Sequence, residues 1–294
     1  MKQYDTYLFD LYGTLVDIHT DEYSMRLWNR LAAMFRTYGL DYTGASLKEN
    51  YFRICEKENL LLEKSGVSGN KSAGGSRICV SGAQYPEIEI RRVYAGLILD
   101  KAETDIFRHK MSSCPDMKAL LPHLAKGRKV TIEALLYDPL IYVLANEFRV
   151  LSRSKLKIYP HTAETLKALR DRGAKLYLLS NAQEVFTMPE IMQCGIDLLL
   201  DKIWISSDKA VKKPDERFIR DIIKTLDIDV SHCVMVGNEV ACDVGVAATV
   251  GMDSVLLNTG KKTAKQIGQE FKMIKKKYPD AVKPVVIGSI KELY

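Results

Sequence analysis

The chain has 294 residues, 47% of them hydrophobic and 27% charged, which is the balance of a globular protein with room for one large core or two smaller ones and excludes a low-complexity or fibrous chain. The formal net charge of +6 owes much to Lys262, Lys265, Lys272, Lys275, Lys276 and Lys277. No aromatic pattern suited to base stacking accompanies these lysines, so they read as a solvated helical face rather than a nucleic-acid surface.

In chain order, an apolar run at 7–10 that ends in Asp10 predicts a strand. From there the pattern changes. Stretches 21–38, 46–64, 86–110 and 139–154 carry apolar residues at helical spacing with no strand alternation between them, which predicts a helical insertion over 17–155. Within it, 65–84 (SGVSGNKSAGGSRICVSGAQ) is rich in Gly and Ser and predicts a mobile loop, since no helix-opening GxxxxGK pattern follows to make it a phosphate cradle. Beyond 156, short β-branched or leucine-rich runs alternate with helical stretches, the signature of a parallel α/β sheet. A helix over 162–172 stops at Gly173; strands at 175–180 (KLYLLS) and 203–206 flank a helix over 185–194. A helix over 215–226 gathers Phe218, Ile219, Ile222, Ile223 and Leu226 on one face. A strand at 232–236, a helix over 240–250, a strand at 253–257, a lysine-rich helix and a short PVVIGS run complete the chain. The expected organisation is a core of 1–16 and 156–294, with 17–155 as one inserted helical domain.

Six cysteines (Cys55, Cys79, Cys114, Cys194, Cys233, Cys242) form no CxxC pair and no His/Cys cluster. With no leader pattern and no apolar run of spanning length, the expectation is a cytoplasmic protein with reduced thiols and no membrane partner.

In an open parallel sheet, ligands gather beyond the carboxyl ends of the strands. In chain order those ends carry Asp10, Ser180, the Lys212-Lys213-Pro214 loop and Gly237-Asn238-Glu239. Taken singly each has an ordinary alternative: Asp10 as a helix N-cap, Ser180-Asn181 as a turn, Asp243 as a first-turn carboxylate favoured by a helix dipole. Taken together, in an order suited to one crevice, they predict a site.

The stretches that carry these groups, FDLYGT, LLSN, KKPDERF and VGNEVACD, resemble the four motifs of the haloacid dehalogenase-like (HAD) superfamily of hydrolases, over 1–16 and about 156–260. The resemblance implies a Rossmann-like parallel-sheet core with an inserted helical cap domain. It implies that Asp10 is the nucleophile, forming an aspartyl intermediate that water then hydrolyses. Gly13 would allow a tight turn beneath the substrate and Thr14 would add a hydroxyl hydrogen bond. Ser180 and Asn181 would donate to phosphoryl or carboxylate oxygens, and Lys213 would offset the repulsion between Asp10 and an anionic substrate. Asp10, Glu239 and Asp243 offer the hard oxygens that Mg2+ prefers, and the family's metal is usually also held by a carbonyl two residues past the nucleophile, here that of Tyr12.

Two departures from the family pattern bear on the chemistry. Asn238 stands where Gly237 is usually followed by Asp, moving the acid to Glu239. Tyr12 stands where phosphatases of the superfamily carry an aspartate that protonates the leaving group, and a phenol of pKa about 10 is a poor base at neutral pH. The expected function is a Mg2+-dependent phosphatase for a small phosphorylated metabolite. A tyrosine at this place is also reminiscent of 2-haloacid dehalogenases, which makes a metal-independent dehalogenase one alternative; a weakened phosphate-binding or regulatory protein is another. The expected partner is a small anionic molecule.

Overall fold

The computed structural model describes residues 2–65, 84–126 and 130–294. In chain order its elements are β1 (Thr6–Phe9), β2 (Val16–Thr20), α1 (Met25–Thr37), α2 (Gly44–Ser65), α3 (Ile90–Lys101), α4 (Asp105–Ser113), α5 (Pro115–Leu120), α6 (Pro122–Ala125), α7 (Ile132–Leu135) and α8 (Pro139–Ser152). They continue with β3 (Arg153–Ile158), α9 (Thr162–Asp171), β4 (Lys175–Ser180), α10 (Glu184–Gln193), β5 (Lys202–Ile205), α11 (Ser206–Lys209) and α12 (Glu216–Leu226). The last are β6 (Cys233–Gly237), α13 (Gly245–Ala248), β7 (Asp253–Leu257), α14 (Ala264–Lys277) and β8 (Val285–Ile287).

Six strands form one parallel sheet in the order β5-β4-β1-β6-β7-β8. Strand residues alternate between its two faces. Tyr7, Phe9, Leu176, Leu178, Val234 and Val236 pack with Leu166 and Leu169 of α9 and Ile191 of α10. Leu8, Leu179, Cys233 and Met235 pack with Phe218, Ile219 and Ile222 of α12 and Val246 of α13. A strand buried on both faces must be apolar at every position, which is why these segments read as continuous runs. Each such Leu or Phe contributes about 1.5–3 kcal/mol by leaving water. Register places the site: Phe9 is opposite Leu178 on one side and Val236 on the other, so Asp10 emerges between the ends of β4 and β6.

Two compact units make up the chain. One comprises Met1–Ile18, Ser65–Glu87 and Lys155–Tyr294; the other comprises His19–Lys64 and Ile88–Ser154 and is helical in its described interior. The division departs from the expected single insertion over 17–155 in that residues 84–87 group with the sheet-bearing unit. Strands β2 and β3 form a separate two-stranded sheet at the ends of the expected helical insertion, because VDIHT and RSKLKI offer only two apolar positions each, too few to establish strand alternation. The single helix expected over 86–110 is two, α3 and α4. Thr104 stops the first by donating to the Lys101 carbonyl (2.8 Å) and caps the second by accepting from the Phe107 N–H. Most of the Gly- and Ser-rich 65–84 stretch, expected to be mobile, lies outside the described residues. No helix among the described residues is long and apolar enough to cross a membrane.

Candidate active site

After β1 the chain turns through Leu11–Leu15, closed by Leu15 N–H to the Leu11 carbonyl (2.8 Å) and Gly13 N–H to the Val16 carbonyl (2.8 Å). Gly13 sits at φ +82°, and a Cβ there would come within 2.3 Å of the Asn238 amide, so both conformation and space exclude a side chain. Thr259, just past β7, donates its hydroxyl to the Gly13 carbonyl (2.7 Å) and fixes the turn from the other side.

Asp10 is buried, and its partners come from the turn after β1, the end of β4 and the loop between α11 and α12. Lys213 Nζ donates to Asp10 Oδ1 at 2.7 Å and equally to Asp243 Oδ1 at 2.7 Å. Ser180 Oγ donates to Asp10 Oδ1 (3.3 Å), and Thr14 Oγ1 lies 3.4 Å from Asp10 Oδ2 and 3.2 Å from Asn238 Oδ1. One buried ammonium thus serves two buried carboxylates. Burial, with Asp243 beside it and Lys213 opposing, pushes the Asp10 carboxyl up to about 6. Lys213 is held protonated: burial disfavours its charge, but the two carboxylates outweigh that and raise its pKa.

Asp243 reaches this place because the expected helix over 240–250 begins with a π-turn at Val240–Val244 before α13. Such widened turns are frequent at functional sites. Asp243 Oδ2 accepts the Glu239 N–H (2.9 Å), and Asp243 N–H returns to the Glu239 carbonyl (2.8 Å). Gly237 makes room: a Cβ there would fall 2.1 Å from the Asp243 carboxyl.

The expected site residues therefore divide. Asp10, Thr14, Ser180, Lys213 and Asp243 converge, with Gly13 beneath them. Asn181, expected to bind substrate, holds the Lys213 main chain with both ends of its side-chain amide. Its Oδ1 accepts the Lys213 N–H (2.7 Å) and its Nδ2 donates to the Lys213 carbonyl (3.0 Å). Glu239, expected as a metal ligand, is exposed, and its carboxylate lies by the Cys242 thiol, which burial and that carboxylate push up to about 12. Among the described residues no three His, Cys, Asp or Glu side chains gather as a metal-binding cluster. The Tyr12 phenol is turned to α10, where it donates to the buried Glu190 carboxylate and lies 3.2 Å from Thr187 Oγ1. Neither Glu190, Thr187 nor Thr259 was singled out from sequence. The first two sit inside α10, a largely apolar helix, and the third in a polar loop, where nothing local distinguishes them.

The parallel sheet with a buried carboxylate at its central strand tip, answered by an ammonium from a neighbouring loop, matches a known class. A family model described as haloacid dehalogenase-like hydrolase matches residues 4–251, and the chain belongs to that family. It is similar to the phosphoglycolate phosphatase of Colwellia psychrerythraea, 28% identical over 221 residues, covering 74% of this chain and 91% of that protein. It is also similar to the glyceraldehyde 3-phosphate phosphatase of Methanothermobacter thermautotrophicus, 27% identical over 104 residues, or 35% of this chain. The chain spans about half the length of the glyceraldehyde 3-phosphate phosphatases it matches. In fold it is similar to a 2-haloacid dehalogenase from Pseudomonas syringae, with a TM-score of 0.56, 16% identity, and coverage of 99% of this chain and 96% of that one.

Proposed function

We propose that the chain is a phosphatase for a small phosphorylated metabolite, working through a covalent intermediate on Asp10. The observation that carries this reading is the Lys213 ammonium 2.7 Å from both Asp10 and Asp243. A cation so placed removes the repulsion between the Asp10 carboxylate and a phosphoryl group and offsets charge that builds in the transition state. In the first half-reaction an Asp10 oxygen bonds to phosphorus as the bond to the leaving oxygen breaks, the electron pair departing with that oxygen. In the second, water bonds to phosphorus and the bond to Asp10 breaks, its electron pair regenerating the carboxylate while the protons of the water leave with inorganic phosphate. Ser180, at the end of β4, supplies a hydroxyl 3.3 Å from Asp10 Oδ1.

Two carboxylates sharing one ammonium carry excess negative charge, and this donor set fits Mg2+, which takes one or two carboxylates and keeps several waters. Asp10, Asp243 and the Tyr12 carbonyl would hold the ion; Glu239 stands outside the set. Bound there, Mg2+ would neutralise phosphoryl oxygens.

Because the Tyr12 phenol is committed to Glu190, proton transfer to the leaving group is weak, and leaving groups that depart as stable anions are favoured. The test is hydrolysis of aryl and alkyl phosphates with Mg2+ or chelator. The aryl ester turns over faster, Asp10→Asn abolishes both activities, and Tyr12→Asp narrows the contrast by speeding the alkyl ester. The same tyrosine favours a second reading, a 2-haloacid dehalogenase, since a halide leaves without a proton. Dehalogenation of 2-haloacids in chelator, with every phosphate ester ignored, selects that reading.

A further inference from the structure

Lys213 belongs to a loop, and its ammonium meets Asp10 only if that loop is held. On one side the Asn181 amide clamps the Lys213 main chain. On the other lies a short strap, residues 84–87, contributed by the stretch of chain between α2 and α3. The strap pairs with the loop main chain: Lys212 N–H donates to the Tyr85 carbonyl (3.0 Å), Glu87 N–H to the Ala210 carbonyl (3.1 Å), and Pro86 bridges antiparallel to Val211. Gln84 N–H donates to Asp215 Oδ2 (3.0 Å) just past the loop.

The strap's side chain of consequence is Glu87, which is largely buried. Its carboxylate accepts from Ser206 Oγ (3.2 Å) at the start of α11 and from Gln183 Nε2 (3.3 Å) in the loop after β4, and it lies 3.7 Å from Lys212 Nζ. Ser206 in turn receives the Ala182 N–H (2.9 Å), so one carboxylate ties together the loop after β4, the start of α11 and the neighbour of the key lysine. A largely buried carboxylate ringed by polar partners is an expensive feature to keep where a plain turn would suffice. We propose that Glu87 is a positioning residue for Lys213: it locks the strap onto the 210–213 loop and so sets where the ammonium meets Asp10. The claim rests on the reading of Asp10 and Lys213 as the catalytic pair, and it does not depend on which substrate is turned over.

The experiment measures amide hydrogen exchange at Lys212 and Lys213, together with aryl phosphate turnover in Mg2+, for wild type, Glu87→Ala and Glu87→Gln. In Glu87→Ala both amides exchange about tenfold faster and kcat falls about tenfold, with KM within twofold; Glu87→Gln, which keeps an acceptor for Ser206, recovers most of both. A merely structural role would lower the melting temperature without splitting kcat from KM. Unchanged exchange in folded Glu87→Ala overturns the proposal, as does faster exchange with kcat intact. If wild type itself hydrolyses no phosphate ester, the phosphatase reading fails, while the exchange result still decides the role of Glu87. If Glu87→Ala does not fold, the Gln183→Ala, Lys212→Ala double variant removes two of its partners, and the same acceleration at Lys213 is required of it.

Discussion

Two groups of buried carboxylates in the molecule are treated differently. In the helical unit Glu58 pairs with Arg92, Glu89 with Arg91 at 2.9 Å, and Asp138 with His123, so each buried acid has a basic partner. A second acid on Arg92, Glu133, is 55% exposed and solvated. At the sheet end, Asp10 and Asp243 share the single ammonium of Lys213, all three buried. A pair closed on itself is a packing element, whereas an unbalanced trio has charge left over for a ligand to complete.

Removing the cation from each region sharpens the contrast most. Lys213→Met leaves two buried carboxylates facing each other, and Arg92→Met strands Glu58; each destabilises by about 3–5 kcal/mol, read from denaturant melts. Only Lys213→Met also lowers turnover per folded molecule, by about 10²–10³-fold. Equal activity losses would erase the distinction between the regions. A smaller but still large effect is expected at Gly237, where an added methyl meets the Asp243 carboxyl: Gly237→Ala lowers turnover about tenfold or more, whereas Gly173→Ala, where a Cβ would meet nothing within 4 Å, leaves turnover unchanged and costs only stability for its positive φ.

The metal expectation is tested inside the fourth motif. Asp243→Asn weakens Mg2+ binding by about tenfold or more in calorimetry, while Glu239→Gln, exposed and turned to Cys242, shifts it by less than about twofold. The reverse ranking would return Glu239 to the ligand set.

The smallest effect is on stability against pH. Because the Asp10 pKa is raised in the folded chain, its contribution is fully present below the unfolded carboxylate value and is lost as pH rises through about 6. In chelator, Asp10→Asn is therefore more stable than wild type, by a margin that grows from pH 4 to pH 7. A margin that shrinks over that range would mean the ammonium dominates at Asp10.

The parts of the molecule legible in its sequence share one property, that the physics acts locally. β1, β4 and β6 are apolar runs because both faces are buried, and each ends in a group the site uses: Asp10, Ser180, Gly237. The amphipathic face of α12 is equally plain, with Phe218, Ile219 and Ile222 on the core side. What escaped depends on partners far apart in the chain. Tyr12 meets Glu190 178 residues away, and no spacing rule connects them. Asn181 looks like a ligand-binding amide until Lys213 is folded against it. Glu239 and Asp243, read alike from sequence as metal ligands, part at the π-turn, which sets Asp243 against Lys213 and leaves Glu239 exposed. The 84–87 strap has too few residues for any periodicity to register. Sequence thus shows which groups stand at the crevice, and tertiary contacts decide which of them point into it.

The central claim is that Asp10, balanced by Lys213 and Asp243, is the covalent nucleophile. Its most direct test is rapid quench of an aryl phosphate reaction followed by peptide mass spectrometry. The account predicts a burst of released aryl alcohol approaching one per chain and a phosphoryl group on the peptide at Asp10, with neither in Asp10→Asn. Steady hydrolysis with no burst and no modified Asp10 would contradict it.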